Sequence, residues 1–440
     1  MNPKNWGLIP PTSSDTKTYD VEWVTDPIPW EEFSASVLPH GQGRSYGDSC
    51  LNNGGVLLET HSLDHLIDFN EESGVLECES GITFSQILKI IVPRGWFLPV
   101  TPGTQFVSIG GAVANDIHGK NHHRSCTLGR HIKALELVRS DGSRRICSPQ
   151  ENTEFFSATI GGLGLTGLMT RVAFQLKRIF GKMLDVETIP FSGIEDFFHL
   201  AGESDKHWEY TVAWLDLSRP KRIKGIFFRG EHSRDDGVSS RNIRSYSVPG
   251  WCPPLARISW VVKYFNDLYA ATHQASKKRI DYKPFFYPLD RILHWNRLYG
   301  RQGFFQYQCV VPMGEEGARP LHTLLTAIAD SGEISPLVVT KVFGSLVSPG
   351  FLSFPREGVT LSLDFSHRGK ETLDLFERLD SIVRECGGSV YPAKDARMSP
   401  ETFQRSFPQW NEFTRYIDPK FSSSFWRRVE IGRASCRERV

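Results

Sequence analysis

Hydrophobic and polar positions alternate at period two in short runs through roughly the first 180 residues. Residues 56–60 (Val-Leu-Leu-Glu-Thr) and 74–80 (Gly-Val-Leu-Glu-Cys-Glu-Ser) read as strands. Residues 84–91 instead place apolar side chains at helical spacing, and Pro93 stops the helix. Residues 134–138, the turn Ser140-Asp141-Gly142-Ser143 and residues 144–147 form a hairpin signal. Residues 168–179 are another β-rich run, whereas 1–34 are proline-rich and irregular. This half therefore predicts an α+β fold of short antiparallel elements around glycine-rich loops.

The texture changes from about residue 181. Strands are expected over 185–187, 210–216, 224–230, 304–311 and 336–342, with helices over 321–329 and 372–386. These predict a separate, large antiparallel sheet. Residues 231–288 lack clean periodicity and become aromatic and basic from Trp251 onward, so a long mobile loop region is expected there. The resulting division is 1–180, then 181–388, then a segment 389–429 that returns to the first part. Residues 430–440 have no apolar periodicity and match the in-frame translation of a common short-read sequencing adaptor. They are read as an adaptor-derived artefact, with the native chain ending or cut off near Val429.

Charge narrows the function. The 440 residues carry 51 Lys and Arg against 50 Asp and Glu, a net charge of +1. A nucleic-acid binder would carry a basic excess, so no nucleic-acid partner is expected. Aromatic residues make up 12% of the chain, enough to supply apolar binding surface as well as core. No two of the eight cysteines form a CxxC pair, which argues against zinc ribbons and thioredoxin chemistry and for a reducing compartment. Neither an apolar signal-peptide core nor a run of about 18 apolar residues is present. A cytoplasmic or peripherally membrane-associated protein is expected.

Three glycine-rich loops carry the candidate chemistry. The first is Pro39-His40-Gly41-Gln42-Gly43-Arg44-Ser45-Tyr46-Gly47-Asp48, where bare N–H groups suit a phosphate or pyrophosphate. The second runs from Pro99 through Pro102-Gly103-Thr104 and Gly110-Gly111-Ala112 to Asn115-Asp116-Ile117-His118-Gly119-Lys120-Asn121-His122-His123. Its histidines have no accompanying carboxylates or thiolates at ligand spacing, so no metal is expected. The third, Gly161-Gly162-Leu163-Gly164-Leu165-Thr166-Gly167, satisfies GxGxxG. A helix pattern precedes it and a strand pattern follows, the inverse of the doubly wound nucleotide fold, so NAD binding of that type is rejected.

Together these loops, with Ala393-Lys394-Asp395-Ala396-Arg397, resemble the vanillyl-alcohol-oxidase-like (PCMH-type) FAD superfamily. More narrowly they resemble the decaprenylphosphoryl-β-D-ribose 2-oxidase family, from about Leu38 to Arg428. The resemblance implies a two-domain fold, an FAD-binding domain and a substrate domain with a large antiparallel sheet. It implies that Gly41, Gly43, Arg44, Ser45, Tyr46, Pro102, Gly103, Thr104, Gly110, Gly111, Ala112, Asn115, His118, Gly119, Asn121, Gly164, Gly167 and Tyr391 hold FAD. Arg44 stands where many superfamily members carry a flavin-linking histidine, so FAD is expected to be non-covalent, and Cys126 is read as a buried thiol.

The resemblance further implies that Tyr46, Lys120, Tyr299, Gln306, Gln308, Lys341, Ser362 and Lys394 face the substrate. Lys394, Lys341 and His118 are the expected catalytic groups, His118 being a candidate base by its pKa class alone. Mycobacterial members carry cysteine at the Ser362 position, the target of covalent nitro-aromatic inhibitors, and asparagine at the Thr360 position. Ser362 cannot form that adduct. The implied activity is oxidation of C2 of a polyprenylphosphoryl ribofuranose for cell-envelope polysaccharide, alongside a short-chain dehydrogenase/reductase that completes epimerisation to arabinose. A lipid-carried substrate would bring the site to a membrane, with residues 251–279 as the expected contact. The competing readings are an oxidase of free alditols or aldonolactones and a flavin-binding protein without catalysis.

Overall fold

The computed structural model describes residues 3–219, 223–234, 245–313 and 318–430. The proposed adaptor stretch lies outside the described residues except for Glu430. Three strands open the chain: β1 (Lys17–Asp20), β2 (Val37–His40) and β3 (Val56–Glu59), in the order β1-β3-β2. Their pairing is parallel, which corrects the expectation of antiparallel elements here. Period-two patterning reports which face is buried and is silent on strand direction. The links 21–36 and 41–55 are long enough to carry the chain back to its starting end, as parallel pairing requires.

The second sheet is antiparallel throughout. It consists of β4 (Leu66–Asn70), β5 (Val75–Glu79), β6 (Ile132–Val138), β7 (Arg144–Cys147) and β8 (Leu168–Gln175), ordered β4-β5-β8-β6-β7. Helix α1 (Phe84–Ile91) begins at a capping box: Thr83 Oγ1 accepts from the Gln86 N–H, and Gln86 Oε1 accepts from the Thr83 N–H. Phe84, Ile87, Leu88 and Ile91 form its buried stripe, which joins the core of this sheet. Helix α2 (Ile109–Ala114) follows, started by Ser108, whose hydroxyl accepts from the Gly111 N–H.

The third sheet is the largest. Its strands are β9 (Met183–Ser192), β10 (Tyr210–Asp216), β11 (Lys224–His232), β12 (Ser276–Asp281), β13 (Phe304–Val311), β14 (Val338–Phe343), β15 (Gly358–Ser366) and β16 (Ser389–Val390). They are ordered β12-β9-β11-β10-β14-β15-β13-β16, all antiparallel. Helices α3 (Ile194–Asp205), α5 (Arg319–Asp330) and α6 (Lys370–Glu385) cover one face. That face is apolar: Phe305, Tyr307 and Cys309 of β13 and Leu361, Leu363 and Phe365 of β15 pack with Leu324, Ile328, Phe376 and Leu379. Each such side chain, fully buried, contributes about 1.5–3 kcal/mol. The alternate positions, Gln306, Gln308, Thr360, Ser362 and Asp364, face the other way.

The region 231–288 is structured where it is described, which corrects the expected mobile loop. After β11 it contains helix α4 (Ser259–Thr272), β12 and a short helix, Tyr282–Phe286. Residues 235–244 lie outside the described residues. Helix α4 escapes a periodicity test because its outward positions Trp260, Tyr264, Phe265 and Leu268 are apolar as well, which erases the contrast between its faces.

The C-terminal segment returns to the first loop. The Tyr46 N–H donates to the Ala393 carbonyl at 2.8 Å, and Ser422 and Lys420 bracket Val37 by backbone bonds of 3.0 and 2.8 Å. At Gly47 a Cβ would lie 1.7 Å from the Asp395 carbonyl oxygen, so only glycine allows the crossing. Arg428 then clamps both strands of the crossing, at 2.7 Å from Asp48 and 2.9 Å from Asp395, two carboxylates almost wholly out of solvent. Arg428→Ala leaves both carboxylates short of a cation. Loss of about 3 kcal/mol of stability is expected, read as a lowered thermal midpoint, with partial recovery in Arg428→Lys.

Candidate active site

A cavity of about 990 Å³ lies between the three glycine loops and the polar face of the large sheet. It is lined by Gly41, Gly43, Arg44, Ser45 and Tyr46 from the first loop. Pro102, Gly103, Thr104, Gly110, Gly111, Ala112, Asn115, His118, Gly119 and Lys120 line it from the second, and Gly164 and Gly167 from the third. Gln306, Gln308, Lys341, Ser362, Tyr391 and Lys394 complete the wall. Two expected site residues do not line it. Asn121 is spent inside the wall, donating to the Pro99 carbonyl and to Ser125 Oγ at 2.8 and 3.0 Å. Tyr299 is buried on the polar-face side of the sheet without lining the cavity, stacked on Phe304 with its hydroxyl donating to Asp364. Cys126 lies off the cavity too, buried with Sγ 3.1 Å from the Leu346 carbonyl.

The glycine-loop side is built for a ligand with a diphosphate and a flat ring. Gly43 sits at φ +58°, so the first loop turns tightly. The peptide N–H groups of residues 41–45 find no acceptor among the described residues, and such a run of bare donors is an anion nest. Ser49 Oγ, Ser80 Oγ, Asn115 Oδ1 and Arg44 Nε are buried, unpartnered and carried by cavity-lining residues. Buried polar atoms are ordinarily satisfied, so this set awaits a polar ligand. The Arg44 guanidinium lies over the Trp6 ring at 4.5 Å, which holds it in the wall. FAD fits this set of donors and one acceptor, Asn115 Oδ1. Its diphosphate would meet the nest of residues 41–45, and Ser80, Asn115 and Arg44 would meet its remaining polar groups.

The loop bearing His118 is pinned by Asp116. That buried carboxylate, at φ +39°, accepts from the Gly129 N–H at 2.9 Å and from the hydroxyls of Ser348 and Ser353 at 2.5 Å each. The His118 ring is thereby wedged among Phe343, Phe354 and Tyr391. Its Nδ1 meets Lys341 Nζ at 3.0 Å, its Nε2 meets the Gln308 amide at 3.0 Å, and Lys341 Nζ also donates to the Gly119 carbonyl at 3.0 Å. Burial, and then the positive charge of Lys341, hold His118 well below its ordinary pKa, so the ring is neutral at pH 7. Among the described residues no group of three His, Cys, Asp or Glu is placed to hold a metal.

Sheet register aligns the rest of this wall. Gln306 pairs with Asp364, Gln308 with Ser362, Val339 with Ser362 and Lys341 with Thr360. Lys341, Lys394 and Lys120 share one end of the cavity. Burial lowers each, and for Lys341 the other two ammonium groups add to the effect; Lys341 and Lys394 fall to about 7 and Lys120 to about 8. The Lys394 ammonium lies 3.7 Å from the centre of the Tyr46 ring. Asp364 was not singled out from sequence. Its carboxylate accepts from Gln306 Nε2 at 2.5 Å and from the Tyr299 hydroxyl at 3.3 Å, and burial pushes its carboxyl up to about 7. The available signal was period two: Thr360, Ser362 and Asp364 must share a face.

Known proteins resemble this chain in its loops and throughout its length. The FAD binding domain family matches residues 30–148. Decaprenylphosphoryl-β-D-ribose oxidase of Mycolicibacterium smegmatis is 31% identical, over 97% of this chain and 96% of its own. The chain belongs to the decaprenylphosphoryl-β-D-ribose oxidase family. It is therefore an FAD-dependent oxidoreductase with the vanillyl-alcohol-oxidase-like FAD-binding fold. An uncharacterised protein of Streptomyces coelicolor is 30% identical over 80% of this chain and 100% of its own. A putative D-arabinono-1,4-lactone oxidase of Neurospora crassa is 29% identical, over only 32% of this chain and 25% of its own.

Asp364 raises the pKa of Lys394, so its removal lets the Lys394 ammonium lose its proton at lower pH. For Asp364→Asn, the alkaline limb of the kcat/KM profile is expected to move to lower pH, with kcat down about tenfold. Steady-state rates across pH 5–9 on the FAD-loaded enzyme check this, and an unmoved limb would detach Asp364 from Lys394.

Proposed function

We propose that this family member oxidises the C2 hydroxyl of a polyprenylphosphoryl ribofuranose to a ketone. That is the first half of a ribose-to-arabinose epimerisation for cell-envelope polysaccharide, and a short-chain dehydrogenase/reductase reduces the keto sugar. The observation that carries the reading is the wall itself: three lysines around one end of the cavity beside two buried glutamines. The charges of Lys120 and Lys394, which lower the pKa of Lys341, favour an anion beside them, as a sugar phosphate would supply. Gln306 and Gln308 supply the uncharged hydrogen-bonding groups that sugar hydroxyls need. We further read the chain as an FAD domain, 1–180, a substrate domain, 181–388, and a returning segment, 389–429.

Bound FAD supplies the electron sink that takes a hydride from the carbinol carbon. The protein's share is to orient the sugar and to move the hydroxyl proton. Neutral Lys341 spends its two N–H bonds on the Gly119 carbonyl and His118 Nδ1, and keeps a lone pair for that proton. His118 then positions Lys341 rather than acting as the base. In its cationic form, which Asp364 favours, Lys394 stabilises negative charge that develops in the site.

The FAD-loaded enzyme, mixed anaerobically with polyprenylphosphoryl ribose, is expected to lose its flavin band near 450 nm (about where the oxidised cofactor absorbs). Bleaching by a free alditol or aldonolactone instead would favour the alternative oxidase, and bleaching by neither would leave flavin binding alone. Lys394→Ala and Lys341→Met are expected to retain FAD and fold while losing on the order of 10²–10⁴ in kcat. Near-normal turnover would remove either residue from the mechanism. Acid precipitation is expected to release the flavin into the supernatant, whereas flavin in the pellet would mean a covalent link.

A further inference from the structure

Helix α4 carries two different faces. Val262 and Asn266 are buried, and Asn266 Nδ2 donates to Asp216 Oδ1 at 3.0 Å and to the Ser335 carbonyl at 3.3 Å. Tyr269, on the same side, packs on Trp214 at 4.9 Å and lines the cavity. These contacts fix the helix at the cavity's edge. On the opposite side Trp260 and Tyr264 are 72% and 68% exposed, and Leu268 is 50% exposed. The spacing 260, 264, 268 is one helical stripe.

The stripe continues into neighbouring segments. Trp251 is 83% exposed and Tyr246 65% exposed. Tyr246 lies on a two-residue strand that pairs with Ile292–Leu293, themselves exposed and lining the cavity. Phe265 likewise is both exposed and cavity-lining. Exposed apolar side chains therefore lie both on the cavity's lining and outside it. Scattered exposed hydrophobics need no explanation, but exposed apolar residues on a cavity's lining, next to an exposed aromatic helix stripe, do. Charge accompanies it. Residues 245–300 hold eight Lys and Arg against three Asp, in a chain whose net charge is only +1. Lys263 on the helix and Lys278 at the cavity rim are exposed among these.

We infer that this patch is a membrane-docking face: α4 lies in the headgroup layer of an anionic bilayer, with the cavity opening toward the lipid. A Trp- and Tyr-rich stripe flanked by lysines is the composition of an interfacial helix, and anionic headgroups answer the local positive charge. The inference rests on the proposed lipid-carried substrate, which would pass from bilayer to cavity across Phe265, Ile292 and Leu293 without crossing water.

The test is flotation of the FAD-loaded protein with vesicles of phosphatidylglycerol and phosphatidylcholine, and with phosphatidylcholine alone. Wild type is expected to float with the anionic vesicles, and more weakly with the neutral ones. The triple variant Trp251→Ser, Trp260→Ser, Tyr264→Ser is expected to lose at least tenfold in vesicle affinity while keeping its flavin spectrum and thermal midpoint. Its turnover of a water-soluble, short-chain isoprenyl-phosphate ribose should match wild type, since none of the three residues lines the cavity. Wild type that stays unbound, or a variant that floats equally well, would overturn the inference. So would light scattering that shows a wild-type dimer, a monomeric variant and no vesicle binding, because the patch would then be a contact between copies. Failure of the sugar to be turned over, with vesicle binding intact, would count against the substrate reading and leave the docking face standing.

Discussion

The structure depends on one constraint: an antiparallel sheet whose two faces serve incompatible purposes. Along β13 and β15 every second residue is driven into an apolar core with α5 and α6, and that burial fixes the register. A slip by one residue would bury Gln306, Gln308, Thr360, Ser362 and Asp364 against helices and expose Phe305, Tyr307, Leu361 and Leu363. The free energy that holds the helices on the sheet thus also aims the polar groups into the cavity. Placement of the site costs no separate scaffold; it is the reverse side of the core.

A two-faced sheet makes only half a site, and the second half comes from loops that must be held with equal precision. Three buried carboxylates do this. Asp116 ties the His118 loop to the Gly129 N–H and to two serines more than 230 residues away in sequence. Asp48 and Asp395, bridged by Arg428, lock the first glycine loop to the segment that carries Lys394. Gly47 is the steric condition for that crossing, since any Cβ there would collide with the Asp395 carbonyl. Residues at opposite ends of the chain consequently meet around one cavity, and Lys394 reaches the ring of Tyr46.

The large sheet was largely legible because its strands are long and alternate cleanly. The patterns over 210–216 and 304–311 coincide with β10 and β13. Cavity residues on loops were legible through the motifs, because glycine spacing that allows a tight turn leaves a trace in sequence. Three features were not legible, each for a physical reason. Strand direction in the first sheet depends on how links cross, which side-chain alternation does not encode. Helix α4 hid because both of its faces are apolar, one against the protein and one toward the outside. Asn121 and Tyr299 carry polar groups suited to ligands, but Pro99 and Asp364 claim them inside the wall. Sequence spacing can bring a group to a wall without deciding which side of the wall it faces.

The electrostatics of the cavity follow from the same geometry. Three ammonium groups at one end of a largely desolvated site repel one another, and Asp364 is the acidic neighbour that raises Lys394. Asp364 is itself so buried that its carboxyl titrates near 7. The wall thus holds amines and an acid whose ordinary values lie more than six units apart, brought to a common range by burial. Near neutral pH a proton can be given or taken there at little cost, which is what oxidation of an alcohol asks of the protein once a cofactor has accepted the hydride. An anion entering beside Lys120 and Lys394 would raise both. Occupation by a phosphate-bearing substrate would then return Lys120 and Lys394 to full charge. Lys341 spends two N–H bonds on the Gly119 carbonyl and His118 Nδ1, so its third position is the one through which it exchanges a proton.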